Sequence, residues 1–172
     1  MPRRVEFTKA GSPSTIRIAE MPMPEPKTGE VRVKVAFAGI NFADLLMRLG
    51  FYQPRPPYPF TPGYEVSGVI DAVGDEKTGF TVGQRVVAAM STGGQASHVV
   101  VDKNRVLLLP DEIELDVAAA MPVTYLTAHH MLHHLGHMDK DDSVLIHGGA
   151  GGVGTAALQL CQWAGVTKVW AT

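Results

Sequence analysis

The chain has 172 residues, 45% of them hydrophobic and 19% charged, and its 15 basic and 17 acidic residues leave a net charge of −2. That composition excludes a disordered chain and supplies apolar material for one domain core and part of another, while the balanced charge, with no Lys/Arg run beyond Arg3-Arg4, gives a nucleic-acid partner nothing to bind. The single cysteine, Cys161, excludes an internal disulfide, and no segment approaches the ~20 continuous apolar residues of a transmembrane helix, so a cytoplasmic setting is expected.

From the N-terminus, short apolar runs bounded by Gly and Pro predict strands over residues 5–8, 15–19, 31–38, 65–73, 85–89, 96–101 and 106–109. In the third, Val31, Val33 and Val35 alternate with Arg32 and Lys34, the pattern of a strand with one wet face. One helical run, 42–49, interrupts this half, with Asn41 placed as its N-cap and Gly50 as its stop. From Asp116 the rhythm becomes helical through Ala118, Ala119, Met121, Leu126, Met131, Leu132 and Leu135, and Pro122 divides it into two helices. Within it, His129, His133 and His137 fall on one face by the four-residue step, with His130 and His134 beside them. No carboxylate is interleaved as in H-E-x-x-H, so a solvated, pH-sensitive face is favoured over a metal site. A strand over 143–147, a helix over 152–164 carrying Cys161 as a small buried residue, and a strand over 168–171 then form one β-α-β unit. The expected fold class is α/β: a β-rich domain over 1–121, then the opening β-α-β unit of a Rossmann domain over 122–172, incomplete.

The segment that carries chemistry is Val144-Leu145-Ile146-His147-Gly148-Gly149-Ala150-Gly151-Gly152-Val153-Gly154, an apolar strand running into G-x-G-x-x-G spacing at the start of a helix. In a dinucleotide site Gly149 would permit the tight turn, Gly151 would admit the pyrophosphate to the backbone, and Gly154 would let the helix pack closely. The helix N-terminus then faces the phosphates with unpaired N–H groups and the positive dipole end, and no basic side chain is needed. A P-loop is excluded, because Thr155 follows Gly154 with no Lys between. His147, at the end of the strand, is expected to make an orienting hydrogen bond. The residue that reads the ribose 2′-group stands roughly twenty positions beyond the glycines. The chain stops about there, leaving an unpaired sheet edge, and is expected to be the N-terminal part of a longer protein.

Three motifs in order resemble one family. Gly39-Ile40-Asn41-Phe42-Ala43-Asp44-Leu45-Leu46, Thr61-Pro62-Gly63-Tyr64-Glu65-Val66-Ser67-Gly68 and the glycine turn are similar to the quinone oxidoreductase branch of the medium-chain dehydrogenase/reductase superfamily, and Asn41-Phe42-Ala43-Asp44 to its vesicle amine transport protein-like group. The resemblance spans essentially the whole chain and implies a GroES-like N-terminal domain followed by a Rossmann domain. The zinc alcohol dehydrogenases carry Cys, a relay hydroxyl and His where Asn41, Ala43 and Tyr64 stand, and they have a four-cysteine zinc lobe that is absent between Ala89 and Gln95. No zinc is therefore expected. Asp44 and Glu65 are expected to serve as structural hydrogen-bonding groups, and Tyr64 as packing.

Without a Lewis acid the implied enzyme suits acceptors that already stabilise incoming charge, quinones and conjugated enones, with NADPH as cofactor by family habit and NADH possible. The resemblance places Asn41, Tyr52 and Thr127 in the cleft. Tyr52 is the candidate for substrate contact and proton donation, Asn41 for donating its amide to the acceptor oxygen, and Thr127 for touching the nicotinamide. Gly149, Ala150, Gly151, Gly152, Val153 and Gly154 would bind the pyrophosphate. Simple alternatives stay open, a surface aromatic for Tyr52 and a helix cap for Asn41. The alternative functions are a vesicle amine transport-like binding or trafficking protein with little turnover, and an inactive truncated piece. The whole protein is expected to be a homodimer.

Overall fold

A computed structural model describes residues 1–53 and 55–172; Pro54, at the end of the segment that carries Tyr52, lies outside the described residues. The chain divides into two units, Met1–Ala120 and Met121–Thr172.

The first unit is built on antiparallel pairing. Strand β1 (Arg3–Phe7) pairs with β2 (Ile16–Glu20) in a hairpin, closed by a 3-10 turn at Pro13–Thr15. Strands β3 (Glu30–Ala38), β4 (Glu65–Val73), β5 (Arg85–Ala89), β6 (His98–Asp102) and β7 (Val106–Leu108) form one sheet in the order β6-β3-β4-β5-β7. Two bulges in the β3–β4 register, at Arg32/Val33 and Val35/Phe37, bend the long central pair, as bulges do. The alternation predicted for β3 holds at Val31 and Val33, both buried with Val66, Ile70, Val86, Val99, Val101 and Val106 in the principal core. Its polar partner Arg32 reaches Asp71 on β4 at 2.8 Å. Helix α2 (Leu115–Ala119) packs its Ala118 and Ala119 face on β3, β4 and β5. β1 is tied across the unit, since Val5 N–H donates to Gln95 O and Ser97 N–H to Arg3 O, and Phe7 bridges Phe60.

The predicted strands are present; the starts of β1 and β6 are displaced by two residues and the other ends by at most one. β1 begins at Arg3 because its outer residues pair with β2 and with Ser97, partners no local pattern reveals. β6 begins at His98 and not at Ala96, because the 95–97 stretch is committed to β1 and β3 by single hydrogen bonds.

On β1, Glu6 is buried beneath two arginines, its Oε1 2.7 Å from Arg4 and its Oε2 2.7 Å from Arg17. The hydrogen bond from Arg17 pulls its ionisation below the ordinary carboxylate range; burial opposes this and Arg4 adds to it. A folded-state value below the unfolded one means that the cluster stabilises above the ordinary range, and that this contribution is lost as pH falls through the depressed value. Urea unfolding against pH is expected to show an acid-side loss that Glu6→Gln flattens; an identical slope in the variant would contradict the assignment.

In the second unit, helix α3 (Pro122–His129) starts with Pro122 in its first turn, where the missing N–H is harmless, and runs on into a π-helical turn over His130–Leu135. The two helices predicted on either side of Pro122 are therefore present, but the second ends in wider turns, and Gly136 N–H reaches back to Met131 O. Strand β8 (Ser143–Ile146), helix α4 (Gly152–Trp163) and strand β9 (Lys168–Ala171) form the β-α-β unit, with β8 and β9 parallel. Ala128, Ala156, Ala157 and Cys161 let α3 and α4 approach closely around Ile146 and Val166. Cys161 is fully buried, 3.6 Å from Met138 Sδ, and burial raises its thiol pKa, as suits an inert core residue.

Candidate cofactor turn and substrate-side polar cluster

After β8 the chain turns at Gly148, whose φ of 71° lies in the left-handed region. The sequence expectation gave the tight turn to Gly149, one residue later; the double glycine left the choice open, and backbone geometry decides it. Gly149 serves a different need, since a Cβ there would stand 2.6 Å from Ala171 Cβ on the neighbouring strand. Gly154 is the most constrained of the motif: a Cβ would lie 2.2 Å from Gly148 O and 2.7 Å from Gly149 Cα. Close packing of helix on turn is thus its physical requirement.

Between these two buried glycines, Ala150, Gly151, Gly152 and Val153 face outward. At Gly151 an added Cβ meets only Gly148 O, at 3.3 Å, so the space beyond is open. Gly151 is the N-cap of α4, and Thr155 N–H closes the first turn onto its carbonyl at 2.8 Å. The N–H groups before Thr155 belong to the set an α-helix cannot satisfy from within, and the first turn carries no acidic side chain to occupy them. These residues fit the diphosphate of a dinucleotide. His147 Nδ1 lies 3.1 Å from Thr172 Oγ1, the orienting contact expected of it, while Thr172 N–H and O extend the β8–β9 pairing to Ile146 and Gly149. Thr127 is exposed on α3, beside a shallow depression it shares with Leu126, His130 and Met131.

In the first unit, helix α1 (Phe42–Leu49) opens at Asn41 and closes at Gly50, whose φ is 86°, as the sequence predicts. The Asn41 backbone N–H donates to Asp44 Oδ2 at 2.9 Å, and Gly63 N–H donates to Asp44 Oδ1 at the same distance. Asp44 is fully buried; burial raises its pKa, opposed by these two N–H groups. The Asn41 Nδ2 group donates to Glu65 Oε1 at 2.7 Å, and Glu65 is itself buried over Gly39, where a Cβ would sit 2.3 Å from that oxygen. The acidic pair therefore makes the structural hydrogen bonds expected of it, and Asn41 is more than a helix cap. One of its amide hydrogens is engaged by Glu65.

Tyr52 is half-buried and packs with Tyr58 and Tyr64 against Phe7, Met47 and Phe60. The Tyr64 hydroxyl lies 3.8 Å from Met47 Sδ, and its pKa is pushed up to about 12, first by burial, then by neighbouring Tyr52 and Asp44. Tyr52 is thus packed into an aromatic cluster, which distinguishes it from a free surface aromatic. Tyr64 has the packing role the sequence reading gave it, an aromatic in place of the histidine of the zinc enzymes. Asn41, Asp44 and Glu65 are joined by hydrogen bonds and Tyr52 and Tyr64 pack in the same unit, whereas the glycine turn and Thr127 belong to the second unit.

Comparison with known proteins places residues 27–111 in the alcohol dehydrogenase GroES-like domain family. The chain is 46% identical over 149 residues, 87% of its length, to the zebrafish (Danio rerio) synaptic vesicle membrane protein VAT-1 homolog, of which that match covers 31%. It aligns over 99% of its length with CurK enoyl reductase, covering 53% of that chain, at TM-score 0.92 and 31% identity. It aligns over 98% with the quinone oxidoreductase of Thermus thermophilus, covering 52% of that chain, at TM-score 0.84 and 36% identity; that enzyme is also described in complex with NADPH. The chain spans between 31 and 49% of the length of the curated relatives it matches. No helix among the described residues is long and apolar enough to cross a membrane.

Proposed function

The chain belongs to the quinone oxidoreductase branch of the medium-chain dehydrogenase/reductase superfamily, and on that footing we propose that it carries the acceptor-binding domain and the opening cofactor-binding unit of an NADPH-dependent, zinc-independent oxidoreductase. A nicotinamide cofactor would supply the hydride, and the acceptor would be a quinone or conjugated enone. The observation that carries this reading is the α4 turn, where two sterically required glycines flank an open, outward-facing Ala150–Val153 segment at a helix N-terminus without acidic side chains. Gly149 to Gly154 would hold the pyrophosphate, and Thr127 would touch the nicotinamide.

The chain's own groups provide positioning and protons. Asn41, fixed by Glu65, keeps one amide hydrogen for a developing oxyanion, where a pre-aligned donor strengthens as charge appears. Tyr52, packed beside Tyr58 and Tyr64, presents a phenol as proton donor. The whole protein is proposed to be a cytoplasmic homodimer.

The test is NADPH oxidation by the protein with a quinone and with a conjugated enone. Tyr52→Phe is expected to lower kcat about 10²-fold, within the range for loss of a positioned acid, with NADPH affinity unchanged; equal turnover would remove the donor role from Tyr52. The similarity to the VAT-1 homologue supports a second reading, a binding or trafficking protein with little turnover. NADPH binding without turnover on either acceptor would favour it.

A further inference from the structure

Tyr58 has no part in the chemistry proposed above, yet its contacts tie the segment that carries Tyr52 back onto helix α1. The last carbonyls of an α-helix have no partner within it, and in α1 two of them are taken by this segment. Phe51 N–H donates to Leu46 O at 2.9 Å, and the Tyr58 hydroxyl donates to Met47 O at 2.6 Å. The segment that leaves the helix at Phe51 and returns at Tyr58 is therefore held at both ends by consecutive carbonyls of one helical turn. Between the ties, the Arg55 guanidinium lies over the Tyr58 ring, 4.4 Å from its centroid, and Phe60 meets that ring at 5.3 Å with planes inclined at 36°.

We propose that Tyr58 is a positioning residue for Tyr52, its hydroxyl acting as the clip that fixes the Tyr52 phenol for proton transfer. The inference rests on the reading of Tyr52 as the proton donor. Tyr52 follows the Phe51 tie by one residue, so its near side is fixed by the helix end and its far side by Tyr58. The anchor is firm, because Met47 is 2% exposed and packs with Phe7 and Phe60 in the cluster on which Tyr52 and Tyr58 both lie. Closing a short segment at both ends removes most of its conformational freedom; releasing the Tyr58 end returns it. A proton donor has to stand within hydrogen-bond reach of the group it protonates, and a misplacement of about 1 Å costs up to about a hundredfold in rate. Tyr64 offers no equivalent tie, since its hydroxyl meets only the weakly accepting Met47 Sδ.

Tyr58→Phe keeps the ring and removes the clip. Assayed with NADPH and a quinone, the variant protein is expected to lose about tenfold in kcat with the KM for NADPH unchanged. Added to Tyr52→Phe, it is expected to lower kcat no further, because it acts only through that phenol. A readout independent of turnover is fluorine NMR of protein labelled with 3-fluorotyrosine. The Tyr52 resonance, identified by its loss in Tyr52→Phe, is expected to shift or broaden in Tyr58→Phe. An unchanged Tyr52 resonance, or the same loss of kcat with and without the Tyr52 hydroxyl, would overturn the proposal. A moved resonance with full turnover in both single variants would uphold the clip and remove the proton-donor role from Tyr52 instead.

Discussion

Gly154→Ala is expected to destabilise the second unit by about 3 kcal/mol, at the upper end of the range for forcing a methyl group into close packing. The new Cβ would meet the Gly148 carbonyl oxygen at 2.2 Å and Gly149 Cα at 2.7 Å, both backbone atoms held by the left-handed turn at Gly148 and by the Gly149 N–H bond to Thr172 O. Neither can yield without separating α4 from β8. The effect is a large fraction of a typical domain stability of about 5–15 kcal/mol. Both tryptophans, Trp163 and Trp170, lie in this unit, so urea unfolding followed by their fluorescence reports it directly. Gly151→Ala provides the contrast. Its Cβ meets one atom at 3.3 Å and its φ is an ordinary −78°, so the fold should change by less than about 1 kcal/mol while NADPH binding weakens. A Gly154→Ala protein with unchanged midpoint would show that the turn does not require close approach there.

The second large effect is expected at Asp44. Its two oxygens accept the Asn41 and Gly63 N–H groups, and Asp44→Ala leaves both donors without that acceptor at a buried site. Each such loss costs about 1–3 kcal/mol, partly offset because the buried carboxylate no longer has to be desolvated, so a net loss of about 2–4 kcal/mol is expected. Asp44→Asn keeps one acceptor and should fall between. Amide hydrogen exchange at Gly63 should accelerate in Asp44→Ala; retained protection would contradict the bond.

The pH behaviour of Asp44 is opposite to that of Glu6. Its folded pKa is raised by burial, so its contribution is complete below the ordinary aspartate value and is lost as pH rises through the raised one. Asp44→Asn removes that dependence, whereas Glu6→Gln removes the loss seen on acidification.

Most of the fold was legible because the signals are local. Val31 and Val33 alternate with charged residues, Gly and Pro bound the strands, and Pro122 marks the start of a helix; β4, β5 and α1 lie where the pattern puts them. The displaced ends of β1 and β6 are set by pairing with segments some ninety residues away in sequence, such as Arg3 with Ser97, and no local window contains that partner. At the site, spacing identified the glycine turn but not its left-handed member. Asn41 and Tyr52 were visible as candidates, but the bond from Asn41 to Glu65 and the seating of Tyr52 beside Phe7, Met47 and Phe60 depend on tertiary packing.

The sequence by itself determined the α/β class, the order of its elements, the dinucleotide-type turn and the family, because each rests on residue type at fixed spacing, and spacing survives without coordinates. Only the tertiary structure decided which glycine turns the chain, which glycine bears the helix and that the Asn41 amide is tied to Glu65. Those depend on dihedral angles and on contacts a few ångströms long between groups distant in sequence, where a change of one residue alters the fit.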